Sequence, residues 1–505
     1  MRLNILIGGK AGQGINFISE VISKTVTNHG YFTFNYRDYS SVIRGAHNFN
    51  ILSISDEKIE SHESHLDGII AMDENTIKIH KKELKKNGFI INSKKFIDLK
   101  KNLNIALSGA LIKILGIDKE FLINEIRKKF DNEDVLKSVE RGYITQENKF
   151  KLKKLKNDLK IMSGSKAIAK GAINSKIDIY FAYPMTPATG VLNELASKQI
   201  KNNYLVFQNE NEIAVANAAL GASFSGARVM IGTSGGGFDL MAEALSLQGI
   251  TELPLVVYLA SRPGPGTGLP TYTSQGDLNL ALRSGHGEFP RVVIAPGNPK
   301  ESIEKTNEAF YLSQKFNSLS IILSDKHLAE SEFSLNKNIK NPLSIKMERK
   351  IPGKTIVKAS SYEHDQFGNT IEDAKTTIEN ANKRIEKYKS IKKECEKFEM
   401  IKIHGKKNSK NLIIGWGSTR GAIIDAIKDL DFKFLQVIYL KPLSNKIKKE
   451  IQNAKKVILI ENNLTGQLGR LIREKTGIKI ENRILKYDGR PFYSDELKKE
   501  ILKVK

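Results

Sequence analysis

The residue types best suited to acid–base chemistry stand between residues 183 and 271, and two closely spaced glutamates are the first candidates. Glu210 and Glu212 precede an alanine-rich stretch that predicts a helix reaching Gly226. Because they are two positions apart, their side chains point to different sides. One could complement the helix dipole, while the other, if shielded from water, suits proton transfer to a ring nitrogen.

A hydroxyl group between two prolines follows the strand-like run that ends at Ala182. The segment Tyr183–Gly190 reads YPMTPATG, and its prolines fix φ at two positions and so stiffen the turn. We expect this turn to present the Thr186 hydroxyl as a hydrogen-bond donor. An alternative is a helix start with Thr186 as N-cap and Pro187 at the first helical position, and the two interpretations are compatible.

Two further loops follow strand-like runs. Three consecutive glycines, Gly235–Gly237, permit the close approach of a flat ligand or of another backbone. Arg262 opens a loop rich in proline and glycine, and a rigidly held guanidinium there could grip a carboxylate through two parallel hydrogen bonds. The alternative for Arg262 is an ordinary surface ion pair. Ligands of open α/β sheets bind at the carboxyl ends of the strands, where all these segments are predicted to lie.

Strand-like runs alternate with helical patterns along the chain, which predicts an α/β fold with open, mostly parallel sheets and helices on both faces. The runs group into three domains, at residues 1–155, 161–345 and 406–505, joined by an irregular or helical connection at 346–405. We expect a linking helix at Lys149–Lys160 and a charged helix near Ile371–Lys393. The runs are Leu3–Ile7, Tyr31–Tyr36, Ile177–Ala182, Val206–Gln208, Ala227–Gly232, Pro254–Ala260, Arg291–Ala295, Ser320–Ser324, Asn411–Gly415, Phe434–Leu440 and Lys456–Glu461.

A glycine-rich loop, Gly9–Gly14, stands between the first strand and the first helical pattern. Its glycines are spaced GxxGxG, which matches neither the GxGxxG of dinucleotide sites nor the GxxxxGK[ST] of P-loops, so a nicotinamide site is not expected. Binding of an anion at the helix N-terminus and a tight packing turn both remain open.

The formal net charge of the 505 residues is +24, but the charge is unevenly spread. Residues 181–297 contain six Lys or Arg and eight Asp or Glu, a net of −2, so the remainder carries +26. The excess is scattered lysine, as in Asn336–Lys350 and Lys387–Lys407, and indicates either solvated faces or attraction of an acidic protein such as a small electron carrier. Nucleic-acid binding is disfavoured because no platform of interleaved aromatic and basic residues occurs.

The single cysteine, Cys395, limits the chemistry that this chain can carry. One cysteine cannot form an internal disulfide, a zinc site or an iron–sulfur cluster, and its charged neighbours suggest a surface residue without a role. No apolar run reaches the ~18 residues of a membrane span, and the start lacks the features of a signal peptide. We therefore expect a soluble, cytoplasmic protein.

Taken together and in order, these segments resemble those of the 2-oxoacid:ferredoxin oxidoreductases, in the type whose alpha subunit carries an N-terminal gamma domain. The resemblance covers nearly the whole chain. The family's usual GNEA start reads Gly164-Ser165-Lys166-Ala167 here, so no acidic role falls on Lys166. The matching blocks are Gly8–Gly14, Tyr183–Thr189 (similar to the family's YPITPST), Gly232–Gly237, Arg262–Leu278 (RPGPGTGLPTYTSQGDL), Ser284–Pro290 (SGHGEFP) and Glu461–Leu468 (ENNLTGQL).

The resemblance implies an enzyme subunit that converts a 2-oxoacid and coenzyme A to acyl-coenzyme A and CO2 while ferredoxin is reduced. The 2-oxoacid would be 2-oxoglutarate or a broader range. The three domains would be a gamma-type domain, a pyrimidine-binding domain for thiamine diphosphate and a transketolase C-terminal-like domain. The implied site residues are Glu212 (which contacts the aminopyrimidine), Tyr183, Pro184 and Gly235 for the cofactor, and Thr186, Arg262 and Thr271 for the substrate.

Two motifs of the full reaction are missing from the sequence. There is no GDG followed at a distance by asparagine, the pattern that holds magnesium and the diphosphate, and no CxxC pair for a cluster. The family places both on a separate beta subunit, so the resemblance implies a shared thiamine diphosphate, with Mg²⁺ and a 4Fe–4S cluster on the partner. Two other hypotheses stay open: a subunit of a non-oxidative thiamine diphosphate enzyme, and a basic scaffold or nucleic-acid binder.

Overall fold

The structure is a computed structural model that describes residues 1–41, 46–130, 132–336, 343, 351–358 and 360–504. It divides into two compact units, where the sequence predicts three domains. The first unit holds Met1–Ser163, the strand at Glu332–Asn336 and Tyr493–Lys499, and the second holds the remainder. Among the described residues, no helix is both long enough and apolar enough to cross a membrane.

The N-terminal part of the chain confirms the predicted β-turn-α-β start, with the glycine loop between a strand and a helix. Its elements are β1 (Arg2–Lys10), α1 (Ile15–Asn28), β2 (Phe32–Asp38), β3 (His47–Ser55), β4 (Leu66–Ala71), α2 (Glu74–His80), β5 (Leu84–Asn92), α3 (Leu103–Ile114), α4 (Lys119–Arg127), α5 (Glu133–Ile144) and β6 (Leu159–Ser163).

The central part alternates strands and helices as the sequence predicts. Its elements are α6 (Gly164–Asn174), β7 (Ile179–Ala182), α7 (Thr189–Ala196), α8 (Gln199–Asn202), β8 (Leu205–Gln208), α9 (Glu212–Phe224), β9 (Val229–Thr233), α10 (Gly235–Leu240), α11 (Ala242–Thr251), β10 (Leu255–Ser261), α12 (Leu278–Arg283), β11 (Arg291–Ile294), α13 (Pro299–Phe316), β12 (Leu319–Asp325), α14 (Lys326–Glu330) and β13 (Glu332–Asn336).

The C-terminal part contains the predicted charged helix, which is confirmed as a 22-residue helix. Its elements are β14 (Glu363–His364), β15 (Thr370–Ile371), α15 (Ala374–Cys395), β16 (Ile401–Gly405), β17 (Asn411–Trp416), α16 (Thr419–Ala426), β18 (Lys433–Val437), β19 (Tyr439–Lys441), α17 (Lys446–Gln452), β20 (Lys456–Glu461), α18 (Gln467–Thr476), β21 (Asn482–Leu485) and α19 (Ser494–Lys503).

The sheet of the first unit has the order β5-β4-β1-β3-β2-β13-β6. Strands β5, β4 and β1 run parallel, whereas β3, β2, β13 and β6 pair antiparallel with their neighbours. The sequence assigns β13 to the central domain, but β13 lies between β2 and β6. The first unit is therefore built from separate stretches of the chain.

The main sheet of the second unit has the order β19-β11-β12-β10-β9-β7-β8, and all its pairs except β11 with β19 are parallel. Strand β10 is an almost unbroken apolar run because both of its faces are buried. Alternate residues, starting at Leu255, enter one core, and the intervening residues, starting at Val256, enter the core on the opposite face. Both faces of the strand are covered, as is usual in parallel sheets, so neither face has to carry polar side chains.

A five-stranded sheet in the same unit, β16-β18-β17-β20-β21, completes the architecture. The run predicted as one strand at Phe434–Leu440 is two strands. Its first part is β18 of this sheet. Its last residues begin β19, which pairs with β11 in the main sheet of the second unit. The α/β fold class with several mostly parallel sheets is confirmed.

Two local predictions are wrong. Lys149–Lys160 is not a helix. Leu152 and Leu155 pack on the hydrophobic core of the first unit, and their N–H groups donate to main-chain oxygens elsewhere in that unit instead of to a helix turn. Cys395 is not on the surface but fully buried, because it shares a face of α15 with Ile391, one turn earlier, in a core of the second unit. The lysine-rich stretch Asn336–Lys350 lies, except for Asn336 and Leu343, outside the described residues.

Candidate functional site

In the main sheet of the second unit, the direction in which successive strands are added reverses between β7 and β9. From β7 the chain moves to β8 at the edge, and it then returns to β9 on the other side of β7. A reversal of this kind opens a crevice at the carboxyl ends of the strands, where ligands bind. The segments selected from the sequence all leave from this edge: Tyr183–Gly190 after β7, Asn209–Asn211 after β8, Ser234–Gly237 after β9 and Arg262–Thr271 after β10.

The loop after β7 presents Tyr183 and Pro184 to solvent and leaves Thr186 partly buried. Helix α7 begins only at Thr189, with Ala188 in the N-cap position, so the alternative that made Thr186 an N-cap is wrong. An N-cap carbonyl accepts the first hydrogen bond of its helix. The carbonyl oxygen of Thr186 instead accepts a hydrogen bond from Arg262 Nη1 at 2.9 Å, which ties this loop to the end of β10.

Glu212 is the first residue of α9, and the structure separates it clearly from Glu210. Asn211 caps the helix, with its side-chain oxygen accepting from Ala214 N at 2.9 Å. This cap leaves the Glu212 carboxylate to turn inward, where only 4% of the residue is exposed, while Glu210 is exposed. Within the described residues, Glu212 Oε1 is buried without a hydrogen-bond partner. A buried, unsatisfied carboxylate oxygen needs a donor from elsewhere.

Gly235 and Gly237, which follow β9, leave no room for a side chain because other side chains lie directly against them. A Cβ on Gly237 would lie 2.2 Å from Thr233 Oγ1 and 2.8 Å from Glu212 Oε1. A Cβ on Gly235 would lie 2.8 Å from one carboxylate oxygen of Asp277 and 2.9 Å from the other. The short helix α10 therefore begins between two carboxylates, and side chains at these two positions would displace them.

Arg262 lies at the end of β10 between the loop after β7 and these carboxylates. Burial lowers the pKa of Arg262, and the negative charges of Asp277 and Glu212 oppose that lowering. No ion pair of Arg262 occurs within the described residues, so the alternative of a surface ion pair is not supported. A guanidinium held by one bond to a main-chain oxygen keeps donors for an incoming carboxylate.

Asp277 is a site residue that the sequence did not single out. It stands in the N-cap position of α12 yet makes no capping hydrogen bond. Burial raises its pKa to about 6, Asp239 adds to the rise, and Ser261 and Arg262 oppose it. From the sequence, an aspartate before an apolar helical run reads as a helix cap, so only its place within the block Arg262–Leu278 could have drawn attention to it.

The residues at this edge fit the pyrimidine half of thiamine diphosphate. Glu212 Oε1, which lacks a partner within the described residues, would accept a hydrogen bond from a ring N–H. A flat group can approach Gly236, because a Cβ there would meet no described atom within 4 Å. Among the described residues, no cluster of three or more His, Cys, Asp or Glu side chains could hold a metal ion. Buried polar atoms at this edge that lack a partner within the described chain include Asn209 Oδ1, Glu212 Oε1, Ser234 Oγ, Ser261 Oγ and Asp277 Oδ2.

The remaining predicted residues lie at the crevice and in the N-terminal glycine loop. Thr271 is buried in the loop after β10, and Tyr183 and Pro184 are exposed at the rim of the crevice. In the N-terminal glycine loop, a Cβ on Gly14 would lie 1.9 Å from Asn104 Nδ2. This close contact supports the packing interpretation of that loop.

Two family models match the chain. The model described as pyruvate flavodoxin/ferredoxin oxidoreductase, thiamine diphosphate-binding, matches residues 170–399. The model described as pyruvate ferredoxin/flavodoxin oxidoreductase matches residues 4–143. The first match contains the whole crevice, and the second contains the N-terminal glycine loop.

Similar proteins extend these matches over the whole chain. A 2-oxoacid:ferredoxin oxidoreductase subunit alpha from Sulfolobus is 29% identical, over 100% of this chain and 97% of its own. A 2-oxoglutarate oxidoreductase subunit KorA from Mycobacterium tuberculosis is 32% identical, over 63% of this chain and 52% of its own. A solved 2-oxoglutarate:ferredoxin oxidoreductase from Magnetococcus marinus, with 2-oxoglutarate, coenzyme A and succinyl-CoA bound, is 26% identical with a TM-score of 0.89, and 99% of each chain is covered.

Proposed function

Because the chain belongs to the 2-oxoacid:ferredoxin oxidoreductase family, we propose that it is the substrate-binding alpha subunit of such an enzyme. The reaction is the conversion of a 2-oxoacid and coenzyme A to acyl-coenzyme A and CO2, with the electrons passed to ferredoxin. The substrate is 2-oxoglutarate or a broader range of 2-oxoacids. The ligands of the Magnetococcus protein support this assignment.

The single observation that carries the proposal is the buried Glu212 carboxylate, whose Oε1 has no partner within the described residues. A carboxylate in this state is held for a donor that arrives with a ligand. Its place at the N-terminus of α9 stabilises the negative charge, which suits a carboxylate that accepts a hydrogen bond from a ring nitrogen. When bound, thiamine diphosphate supplies the electron sink for decarboxylation of the 2-oxoacid.

Arg262 and Thr186 are the proposed carboxylate and carbonyl contacts of the substrate. Arg262 donates a hydrogen bond to the Thr186 carbonyl, which holds its guanidinium against the loop after β7. An arginine is suited to this task because its planar fork matches a carboxylate and stays charged. Thr271, farther along the loop after β10, is proposed as a third substrate contact.

A partner subunit is proposed to cover the crevice and complete the site. Large apolar side chains are exposed at this edge, with Ile213 51%, Phe207 49% and Leu240 53% exposed, which is typical of an interaction surface. The chain itself lacks the GDG motif and the cysteines of a cluster. A beta subunit with Mg²⁺, the diphosphate site and a 4Fe–4S cluster would supply both and pass electrons to ferredoxin.

The test is reconstitution of the chain with its partner subunit, with thiamine diphosphate, a 2-oxoacid and coenzyme A. We expect viologen or ferredoxin reduction from the complex and none from the chain alone. Glu212→Gln should lower kcat by about 10²–10⁴-fold, because the carboxylate that accepts the hydrogen bond of the ring nitrogen is lost. Glu210→Gln, which alters an exposed glutamate two positions away, is the matched control and should keep the wild-type rate.

Each component of the proposal has its own contrary result. Full activity of the isolated chain would exclude a shared site. Turnover of the 2-oxoacid without reduction of viologen or ferredoxin would indicate a non-oxidative enzyme. A wild-type rate in Glu212→Gln would remove Glu212 from the mechanism.

A further inference from the structure

The far end of the loop after β10 is tied to the C-terminal part of the chain, in the same unit, through the buried Gln275. Its N–H donates to Asn462 O and its side-chain Nε2 donates to Trp416 O, both at 2.7 Å. Its Oε1 accepts from Asn462 N at 2.8 Å, and its carbonyl oxygen accepts from Asn463 Nδ2 at 3.2 Å. Both the main chain and the side chain of Gln275 are therefore fixed.

Gln467, the first residue of α18, caps α12 in place of Asp277. Asp277 occupies the N-cap position but, within the part of the chain that the structure describes, its side chain makes no capping bond. Gln467 Oε1 instead accepts from Asn279 N at 2.9 Å, and its Nε2 donates to Gly276 O at 2.7 Å. One amide thus holds the main chain on both sides of Asp277, whose carboxylate faces Gly235 in the turn after β9.

The residues directly after Thr271 rest on the segment that follows β21. Thr273 N donates to Gly489 O at 3.0 Å, and the Arg490 guanidinium lies 3.9 Å from the centre of the Tyr272 ring. The C-terminal part of the chain therefore contacts the loop after β10 from Tyr272 onward, next to a proposed substrate contact.

We propose that Gln275 and Gln467 are positioning residues, through which the C-terminal part of the chain holds the loop after β10 in the form that binds the 2-oxoacid. The inference rests on the proposed function, in which Arg262 and Thr271 of this loop contact the substrate. Arg262 is held at the near end by its bond to the Thr186 carbonyl, and the two glutamines hold the far end. A loop that is already ordered loses less conformational entropy when the substrate binds, so the substrate binds more tightly.

The experiment measures KM for 2-oxoglutarate, kcat and the melting temperature of the reconstituted complex with Gln467→Ala. Gln467 is only partly buried, so we expect the variant to fold. KM should rise about tenfold and kcat should change less than about twofold, because the loop must then be ordered at each binding event. Asn411→Ala is the matched control, since it removes an amide bond to Asp431 O, 2.9 Å long, at the opposite end of the five-stranded sheet. It should keep the wild-type KM.

Two further variants separate positioning from packing. Gln467→Glu still accepts from Asn279 N but sets an oxygen against Gly276 O, so KM should rise as in the alanine variant, whereas a side chain that only fills space would be replaced without effect. Gln275→Ala should raise KM in the same way and also lower the melting temperature, because the residue is buried.

In a complex that turns over 2-oxoglutarate, three results would overturn the inference and leave the proposed function standing. They are a wild-type KM in Gln467→Ala, a wild-type KM in Gln467→Glu, and an equal rise of KM in Gln467→Ala and Asn411→Ala. A wild-type complex that turns over no 2-oxoacid would overturn both.

Discussion

The two glycine-rich turns of this chain look alike in sequence but face different surroundings. In the N-terminal loop, a Cβ on Gly9 would lie 2.6 Å from Met72 Cβ, and one on Gly14 would lie 1.9 Å from Asn104 Nδ2. In the central turn, Gly235 and Gly237 face the carboxylates of Asp277 and Glu212. The first turn accommodates neutral side chains of its own unit, and the second makes room beside buried charges.

The comparison teaches that glycine spacing by itself does not indicate a ligand. Glycines permit close approach wherever it is needed, whether by a packed side chain or by a bound group. What distinguishes the central turn is that a carboxylate oxygen, Glu212 Oε1, directly faces one of its glycines, Gly237, and is buried without a partner within the described residues. A pattern of glycines becomes evidence for a site only together with an unsatisfied polar group.

Gly237→Ala should have the largest effect. The added Cβ would overlap Thr233 Oγ1 and crowd Glu212 Oε1, so the carboxylate must shift, and a displacement on the order of 1 Å can lower kcat/KM about 100-fold. The measurement is kcat/KM of the reconstituted complex, with circular dichroism to verify the fold. Gly236→Ala is the control, because its Cβ would meet no atom of the described residues within 4 Å. Equal losses in the two variants would contradict the role given to the carboxylate contact.

Arg262→Ala should have a smaller effect, confined to the substrate. Loss of the charge-assisted bonds to the carboxylate should raise KM for the 2-oxoacid by roughly 10- to 100-fold, with little change in the affinity for thiamine diphosphate. Steady-state kinetics and a cofactor titration separate the two quantities. An unchanged KM would show that the substrate carboxylate binds to a residue other than Arg262.

Gly14→Ala should have the smallest effect on turnover. Its φ is 85° and Asn104 occupies the space of a Cβ, so the free energy of unfolding should fall by about 2 kcal/mol while kcat of the folded complex stays unchanged. Urea unfolding and kinetics of the same preparation provide the check. A raised KM for coenzyme A with normal stability would instead favour the anion-binding interpretation and remove the contrast between the two turns.

The sequence predicts the strand ends of the site because β7 to β10 are short apolar runs followed directly by turn residues. Parallel pairing then brings those ends to one edge, whatever the loops contain. The choice of Glu212 over Glu210 depended on the resemblance. The structure agrees with that choice, because Asn211 caps α9 and directs Glu212 inward.

The rest could not be predicted because it depends on contacts between residues far apart in sequence. Asp277, which is half-buried, lies where the start of α10 and the start of α12 meet, and nothing in its sequence neighbours shows this. Cys395 is flanked by charges, yet it lies one turn after Ile391 on the buried face of α15. The assignment of β13 to the first sheet depends on pairing with β2 and β6, which no local pattern records.

That pairing has a consequence for the order in which the protein can fold during synthesis. In the part of the chain that the structure describes, β6 pairs only with β13, and β2 has an open edge until β13 is made. When the ribosome has completed residue 163, the first sheet is therefore unfinished, and it remains so until Asn336 has left the exit tunnel. An unpaired strand edge invites association with other chains, so a nascent chain of intermediate length is the form of this protein most in need of a chaperone.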